Sequence, residues 1–165
     1  ESRAHLGRWF PWAATYHSVD DARTTIARIR ARWLLREDLT VSIFERETGR
    51  LLGGSGLHRP NWDIRAFEIG YWLRQTAEGH GYMREAVQLL TNMAFETLQA
   101  KRVEIRMDVA NTRSRRVAER LGFVFEGTLR NSMPDVDRRP HDTHIYALVP
   151  TDYDHLDWAL KTPLT

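Results

Sequence analysis

A mixed α/β fold, an α+β arrangement with a mixed sheet, is predicted by three features of the chain. The stretch "VEIRMDVAN" has the period of a strand, with Val103, Ile105, Met107 and Val109 on one face and Glu104, Arg106 and Asp108 on the other. "SVDDARTTIARIRARW" and "GYMREAVQLLTNMAF" space their apolar residues by three and four, the period of a helix. Finally, "AFEIGYWL" runs through "RQTAEGHG" directly into the second of those helices, and the alternating run follows. Strand, helix, strand is a crossover, so two strands in the middle of the sheet are expected to be parallel.

Taken in order, residues 1–17 carry Leu6, Trp9, Phe10 and Trp12 around Pro11, too many large apolar groups for a free tail. In "SVDD", Ser18 is an N-cap with Asp21 three residues on, and Ala22, Ile26, Ile29 and Trp33 carry an amphipathic helix to about Arg36. Leu39, Val41 and Ile43 then alternate, "ETGR" turns, and "LLGGSGLHR" returns, which reads as a β-hairpin. After the strand "AFEIGYWL", the next helix places Tyr82, Ala86, Leu90, Met93 and Leu98 on one side. Asn111 or Thr112 can cap a short helix containing Val117, Ala118 and Leu121, closed by Gly122. "FVFEGTLR" and "THIYALVP" are two further strands, and "TDYDHLDWALK" is a last short helix.

With 165 residues, 42% of them hydrophobic, the chain can bury one ordinary core, so a single domain over 1–165 is expected. It contains no cysteine, which removes disulfides, thiol nucleophiles and thiolate-held zinc. The formal charge of +2 comes from acidic and basic residues mixed along the chain, without the footprint of a nucleic-acid binder. No window approaches the ~18 consecutive apolar residues of a membrane span, and "ESRAHLGRWF" lacks the apolar centre of a signal peptide. A cytoplasmic protein without nucleic-acid or membrane partners is expected. The first residue is Glu, so the chain is expected to begin downstream of the translated start.

"TAEGHGYMREAVQLL" sets two glycines at the head of a helix. A helix N-terminus has unpaired N–H groups and partial positive charge, and glycines there let a phosphate approach the main chain. The loop lacks the Lys-Ser or Lys-Thr of a Walker loop, and Arg84 stands where a dinucleotide fingerprint wants a small residue. From these residues alone, a phosphate cradle and a plain strand-to-helix turn both remain open.

"FEIGYWLRQTAEGHGYMREA" resembles motif A of the GNAT acetyltransferase superfamily, and "NTRSRRVAERLGFVFEGTLR" resembles its motif B. The likeness extends to the RimJ/RimL branch, the ribosomal-protein N-terminal acetyltransferases. That branch shows segments similar to His5–Trp12, Gly53–Leu57 and the "HD" to Tyr stretch at His141–Tyr146. The resemblance implies the GNAT acyl-CoA N-acyltransferase fold, with splayed central parallel strands, and acetyl-CoA as cosubstrate without a metal. It implies that the pantetheine arm pairs with the main chain of Tyr71, Trp72 and Leu73, and that the diphosphate sits on N–H groups of Glu78, Gly79, His80, Gly81, Tyr82 and Met83. It further implies that Asn111 bonds the pantetheine, that Ser114 faces the sulfur, and that a homodimer forms. Arg74, Arg84, Arg115 and Arg116 are positive charges near the nucleotide phosphates. The family's first strand and part of its first helix would lie upstream of residue 1.

Acetyl transfer to an amine needs a neutral amine, donors for the developing oxyanion and a proton for the departing thiolate. Backbone N–H groups near Leu73 can serve the oxyanion. Many family members carry a tyrosine as acid where this chain has Ala118, so Ser114 takes that place. A glutamate is common near Met133; here Asp135 is the candidate base through a water, with Glu68 and His58 as alternatives. An α-amine has a pKa of about 8 against about 10.4 for lysine, so weak base machinery suits an N-terminal acceptor. His141, Asp142 and His144 do not converge on a metal, because His141 and His144 face opposite ways on a strand. The expected activity is N-acetylation of a protein N-terminal α-amine, as of a ribosomal protein. A small-molecule amine such as an antibiotic or polyamine is the alternative acceptor, and a non-catalytic acyl-CoA-binding module is the alternative of another class. Trp9, Phe10, Trp12 and Trp62 are candidates to line the acceptor pocket.

Overall fold

The alternating run becomes the strand about which the sheet is built. The computed structural model describes residues 2–14 and 18–160; residues 15–17, part of the aromatic N-terminal stretch, and Lys161, the end of the last predicted helix, lie outside them. Strand β1 (Leu39–Phe44) pairs with β2 (Leu51–Asn61) as a hairpin, and β2 pairs antiparallel with β3 (Ala66–Leu73). Next to β3 lies β4 (Arg102–Asp108), parallel to it as the crossover requires. Strand β6 (Pro140–Leu148) is antiparallel to β4, and β5 (Val124–Pro134) is antiparallel to β6. The order across the sheet is β1-β2-β3-β4-β6-β5.

Four-residue α1 (Arg3–Leu6) and a tight turn at Pro11–Ala14 precede α2 (Val19–Leu34). Helix α3 (Tyr82–Asn92) runs on into a wider turn at Met93–Thr97 and provides the crossover; α4 (Thr112–Arg120) follows β4, and one-turn α5 (Pro150–Tyr153) follows β6. The predicted last helix is therefore only its first turn. The faces of the sheet follow the period of two. Phe67, Ile69, Val103, Ile105 and Met107 are buried beneath the helices, with Val87, Leu90, Ala94, Ala118 and Leu121 in the same core. Each large side chain removed from water contributes about 1.5–3 kcal/mol, before conformational entropy is subtracted. Buried Asn92 on α3 is satisfied, accepting from the Tyr153 hydroxyl at 2.7 Å and the Leu160 N–H at 3.1 Å, which ties the segment after β6 to the crossover helix.

The opposite face of β4 carries its charges. Arg106 donates to Glu104 at 2.6 Å, and Arg102 bridges Glu104 at 2.9 Å and Glu126 at 2.7 Å. Burying one face of the sheet leaves the other to long side chains whose charges satisfy one another.

Two expectations need correction. The buried stripe of α3 is Met83, Val87 and Leu90, continued by Ala94, and not the row from Tyr82. Tyr82, Ala86 and Met93 instead border a groove against β1. The apolar arc is wide enough for two rows, and only the sheet selects between them. Helix α2 has the expected reciprocal cap: the Asp21 N–H donates to Ser18 Oγ at 3.1 Å and the Ser18 N–H to Asp21 Oδ2 at 2.8 Å. It stops at Leu34, before Arg36, whose φ of +56° no α-helical residue adopts. Its apolar stripe is only partly covered by the described residues: Ala22 and Ile29 are half-buried, while Ile26 is 57% and Trp33 44% exposed. Periodicity defines a face, but only a neighbour buries it.

Candidate acyl-transfer site

Three residue pairs join β3 to β4: Ala66 with Arg102, Phe67 with Val103, and Glu68 with Glu104. Past Glu68, β3 stays zipped to β2 as far as Leu73, and β4 stays zipped to β6 as far as Asp108, but no pairing joins β3 to β4. The central parallel strands thus diverge toward their C-terminal ends. Ile69 to Leu73 present an edge that β4 leaves unpaired, where an extended ligand can find main-chain partners.

At the open end, β3 leads through Arg74–Gly81 into α3. Gly79 (φ +82°) and Gly81 (φ +85°) are both left-handed, which a side chain would oppose. A Cβ at either would meet nothing within 4 Å, so backbone angle and not crowding requires glycine, and open space lies over the loop. Gly81 is the N-cap of α3, and no side chain among the described residues caps this terminus. The first-turn N–H groups are therefore available to an anion. His80 stacks on Tyr82 at 5.7 Å, covering one flank.

Two side-chain links span the opening. Glu78, ahead of the glycines, pairs with Arg113 on α4 and with His5 Nε2 at 2.8 Å. The Gln75 N–H donates to Ser2 Oγ at 3.1 Å, so the N-terminal turn rests on the same link. Deeper in, the Tyr71 hydroxyl lies 2.9 Å from Ser114 Oγ and 3.2 Å from the Ser114 carbonyl. Burial pushes the Tyr71 phenol up to about 12, against a smaller opposing effect of its bond to Ser114. Ser114 itself is oriented by α4, because its N–H donates to Asn111 Oδ1, the N-cap, at 3.1 Å.

The fold therefore brings Tyr71, Trp72, Leu73, the glycine loop, Asn111 and Ser114 around one opening. Asn111 spends its side-chain oxygen on the helix cap. The candidate bases stand elsewhere on the polar side. Glu68 is held by Arg59 at 2.7 Å and faces Arg106 at 3.7 Å. Asp135 closes the β5–β6 turn, accepting from the N–H groups of Asp137 and Arg139, both at 2.8 Å, and its other oxygen lies 3.8 Å from His141 Nε2. His141 is bonded through Nδ1 to Asp108 at the end of β4, and this bond, more than any other influence, raises its pKa. His58 is paired with Asp38 at 3.0 Å. His144 accepts or donates at Thr128, 2.8 Å away. Among the described residues no group of three or more His, Cys, Asp or Glu could hold a metal, and no helix is long and apolar enough to cross a membrane.

Sequence reasoning missed the Tyr71 phenol, Arg113 and His5 as parts of this site. Their partners lie dozens of residues away, and no local spacing announces such a contact. Trp12 and Trp72 meet edge to face at 5.8 Å, and Trp72 Nε1 fills the space over Gly54, where a Cβ would come within 2.7 Å of it. Trp62 is not with them, since it packs on Phe67 at 5.2 Å and donates to the Arg36 carbonyl at 2.8 Å.

A mixed sheet whose central parallel strands part beside a glycine-headed helix defines an N-acyltransferase of the GNAT fold. Residues 1–124 match the family model described as an acetyltransferase (GNAT) domain, and the chain belongs to that family. It is 37% identical over 133 residues to the ribosomal-protein-serine acetyltransferase of Escherichia coli K12, covering 80% of this chain and 73% of that one. It is 32% identical over 155 residues to YdaF of Bacillus subtilis, provisionally named a ribosomal N-acetyltransferase, covering 93% of this chain and 83% of that one. Among solved structures, RimL, a ribosomal L7/L12 α-N-protein acetyltransferase in complex with coenzyme A, superposes with a TM-score of 0.83 at 23% identity, over 90% of this chain and 82% of that one.

Proposed function

We propose that this protein transfers the acetyl group of acetyl-CoA to a primary amine, and that its acceptor is the N-terminal α-amine of a protein, as of a ribosomal protein. The observation that carries the donor half is the unpaired edge of β3 ending in a loop of two left-handed glycines and an uncapped helix. The main chain of Tyr71, Trp72 and Leu73 is suited to pair with the pantetheine amides. The N–H groups of Gly79 through Met83 are the proposed seat of the diphosphate, beside the open space over Gly79 and Gly81, whereas the Glu78 N–H is already donated to the Gln75 carbonyl at 3.4 Å. The acceptor half rests on the likeness to the ribosomal-protein-serine acetyltransferase.

The chemistry then follows from the chain's own groups. The neutral amine attacks the thioester carbonyl, the C–N bond forms, and an N–H near Leu73 supports the oxyanion. As the C–S bond breaks, its electron pair stays on sulfur, and Ser114 donates a hydrogen bond to the thiolate. A serine hydroxyl is too weak an acid to surrender its proton to a thiolate of pKa about 8.5, so it stabilises this charge rather than neutralising it. Asp135 acting through a water is the proposed acceptor of the proton the amine loses, with Glu68, paired with Arg59 and Arg106, as the alternative. An α-amine with a pKa of about 8 is partly neutral at physiological pH and asks little of that base. The protein is assigned to the cytoplasm on the same grounds, where ribosomal acceptors are found.

Release of free thiol from acetyl-CoA, measured against a panel of α-amine peptides, lysine side chains, polyamines and aminoglycosides, tests this reading. Turnover with α-amine peptides supports it; turnover only with a small amine moves the acceptor; tight binding of acetyl-CoA without turnover on any amine overturns the enzymatic role.

A further inference from the structure

Tyr71 belongs to the site through its backbone, yet its side chain does something the backbone role does not require. It leaves β3, crosses the opening and ends at α4, with its hydroxyl 2.9 Å from Ser114 Oγ and 3.2 Å from the Ser114 carbonyl. These two residues are 43 positions apart and stand on the two walls between which the acyl thioester is proposed to lie.

A phenol has one proton and Ser114 has one hydroxyl proton, so the contact has two states. Where Tyr71 donates to the Ser114 carbonyl, its oxygen accepts the Ser114 hydroxyl proton, which is then turned away from the cleft. Where Tyr71 donates to Ser114 Oγ, the serine lone pair is filled and its proton is released to point elsewhere. The 2.9 Å oxygen–oxygen contact is common to both states, and passing from the first to the second gives up only the longer 3.2 Å bond, whose acceptor, the Ser114 carbonyl, is in any case part of the α4 ladder.

We propose that Tyr71 is a positioning residue for Ser114: its hydroxyl donates to Ser114 Oγ and so aims the serine proton at the thioester sulfur. The two hydroxyls form a donor chain, and a donor that is itself hydrogen-bonded is the more polarised. No covalent step is added. The C–S electron pair still goes to sulfur, and both oxygens keep their protons. On α4 itself Ala118 is fully buried and offers no donor, so the phenol at this contact comes from β3 on the opposite wall. The high pKa of Tyr71 fits this role, because the group stays a donor across the working pH range.

The inference rests on Ser114 acting at the sulfur, and the test separates the two. The variants are Tyr71→Phe, Ser114→Ala and the pair together, each checked for an unchanged melting temperature. They are assayed with acetyl-CoA and a serine-initiated peptide bearing a free α-amine. The pKa of the coenzyme A thiol bound to each variant is also read from thiolate absorbance, which needs no acceptor. Tyr71→Phe should lower kcat about tenfold, with KM for acetyl-CoA within about twofold, and should raise the bound thiol pKa. In the Ser114→Ala background the same change should do almost nothing. A loss that is equal in both backgrounds, or one that falls on KM alone, overturns the inference. If Ser114→Ala keeps full activity and the parent's thiol pKa, the reading of Ser114 itself fails. If Ser114→Ala is impaired and Tyr71→Phe is not, only the role of Tyr71 fails.

Discussion

His5 on the first helical turn lies 2.8 Å from the carboxylate of Glu78, the residue that opens the glycine loop, and Arg113 of α4 holds the same carboxylate from across the opening. A negative side chain beside a proposed diphosphate seat would repel it; the Arg113 guanidinium offsets that charge, and His5 contacts the same carboxylate. Arg113→Ala removes that guanidinium. The expected result is a severalfold rise in KM for acetyl-CoA at low ionic strength, shrinking as salt is raised, because the Debye length falls from about 30 Å at 0.01 M to about 3 Å at 1 M. A KM that stays at the parent value in low salt would detach this pair from cofactor binding.

Gly81→Asp acts on the loop from within. The position has φ +85° and open space beyond it, so the aspartate suffers backbone strain and also puts a carboxylate over the first-turn amides of α3. KM for acetyl-CoA should rise at least tenfold. Gly81→Ala has the strain without the charge, and its smaller rise, measured in parallel, isolates the electrostatic part. Equal effects of the two would show that the loop does not hold the anion.

His141 and Asp108 give a pH dependence with a defined sign. The bond to Asp108 raises the folded-state pKa of His141 above its ordinary value near 6.5. A raised value means that the folded protein binds the proton more tightly than the unfolded chain does. The stabilisation is therefore complete below about pH 6.5 and is lost as pH rises through the raised value. His141→Gln should be less stable than the parent at about pH 5.5, with the difference closing by about pH 9. Urea titrations at the two values measure it, and a gap that does not narrow would sink the assignment.

The contrast between core and α2 is also measurable. Leu57 on β2 is fully buried, so Leu57→Ala should cost about 2–5 kcal/mol, from lost burial plus the cavity left behind. Ile26 on α2 is 57% exposed, and Ile26→Ala should stay within about 0.5 kcal/mol. A large loss at Ile26 would mean that something covers α2 in solution.

Most of the strands and α3 were legible in the sequence because a period of two or of 3.6 is a local property. "AFEIGYWL" became β3 residue for residue, Asn111 and Ser18 became the caps their neighbours announced, and the glycines of "EGHG" stood at the head of α3 as expected. The choice of buried row on α3 was not legible, since Met83 and Tyr82 are both apolar and only the position of the sheet decides between them.

What the sequence determined by itself is thus the order and type of the main elements from α2 onward, the parallel step at β3 and β4, and a glycine turn at the start of the crossover helix. Each of these depends on residues within a few positions of one another. The tertiary structure decided where β3 and β4 part company, that Tyr71 meets Ser114, and that Glu78 is paired with His5 and Arg113. These depend on distances between segments 35 to 73 residues apart, and such distances exist only after the core has closed and fixed the walls of the opening.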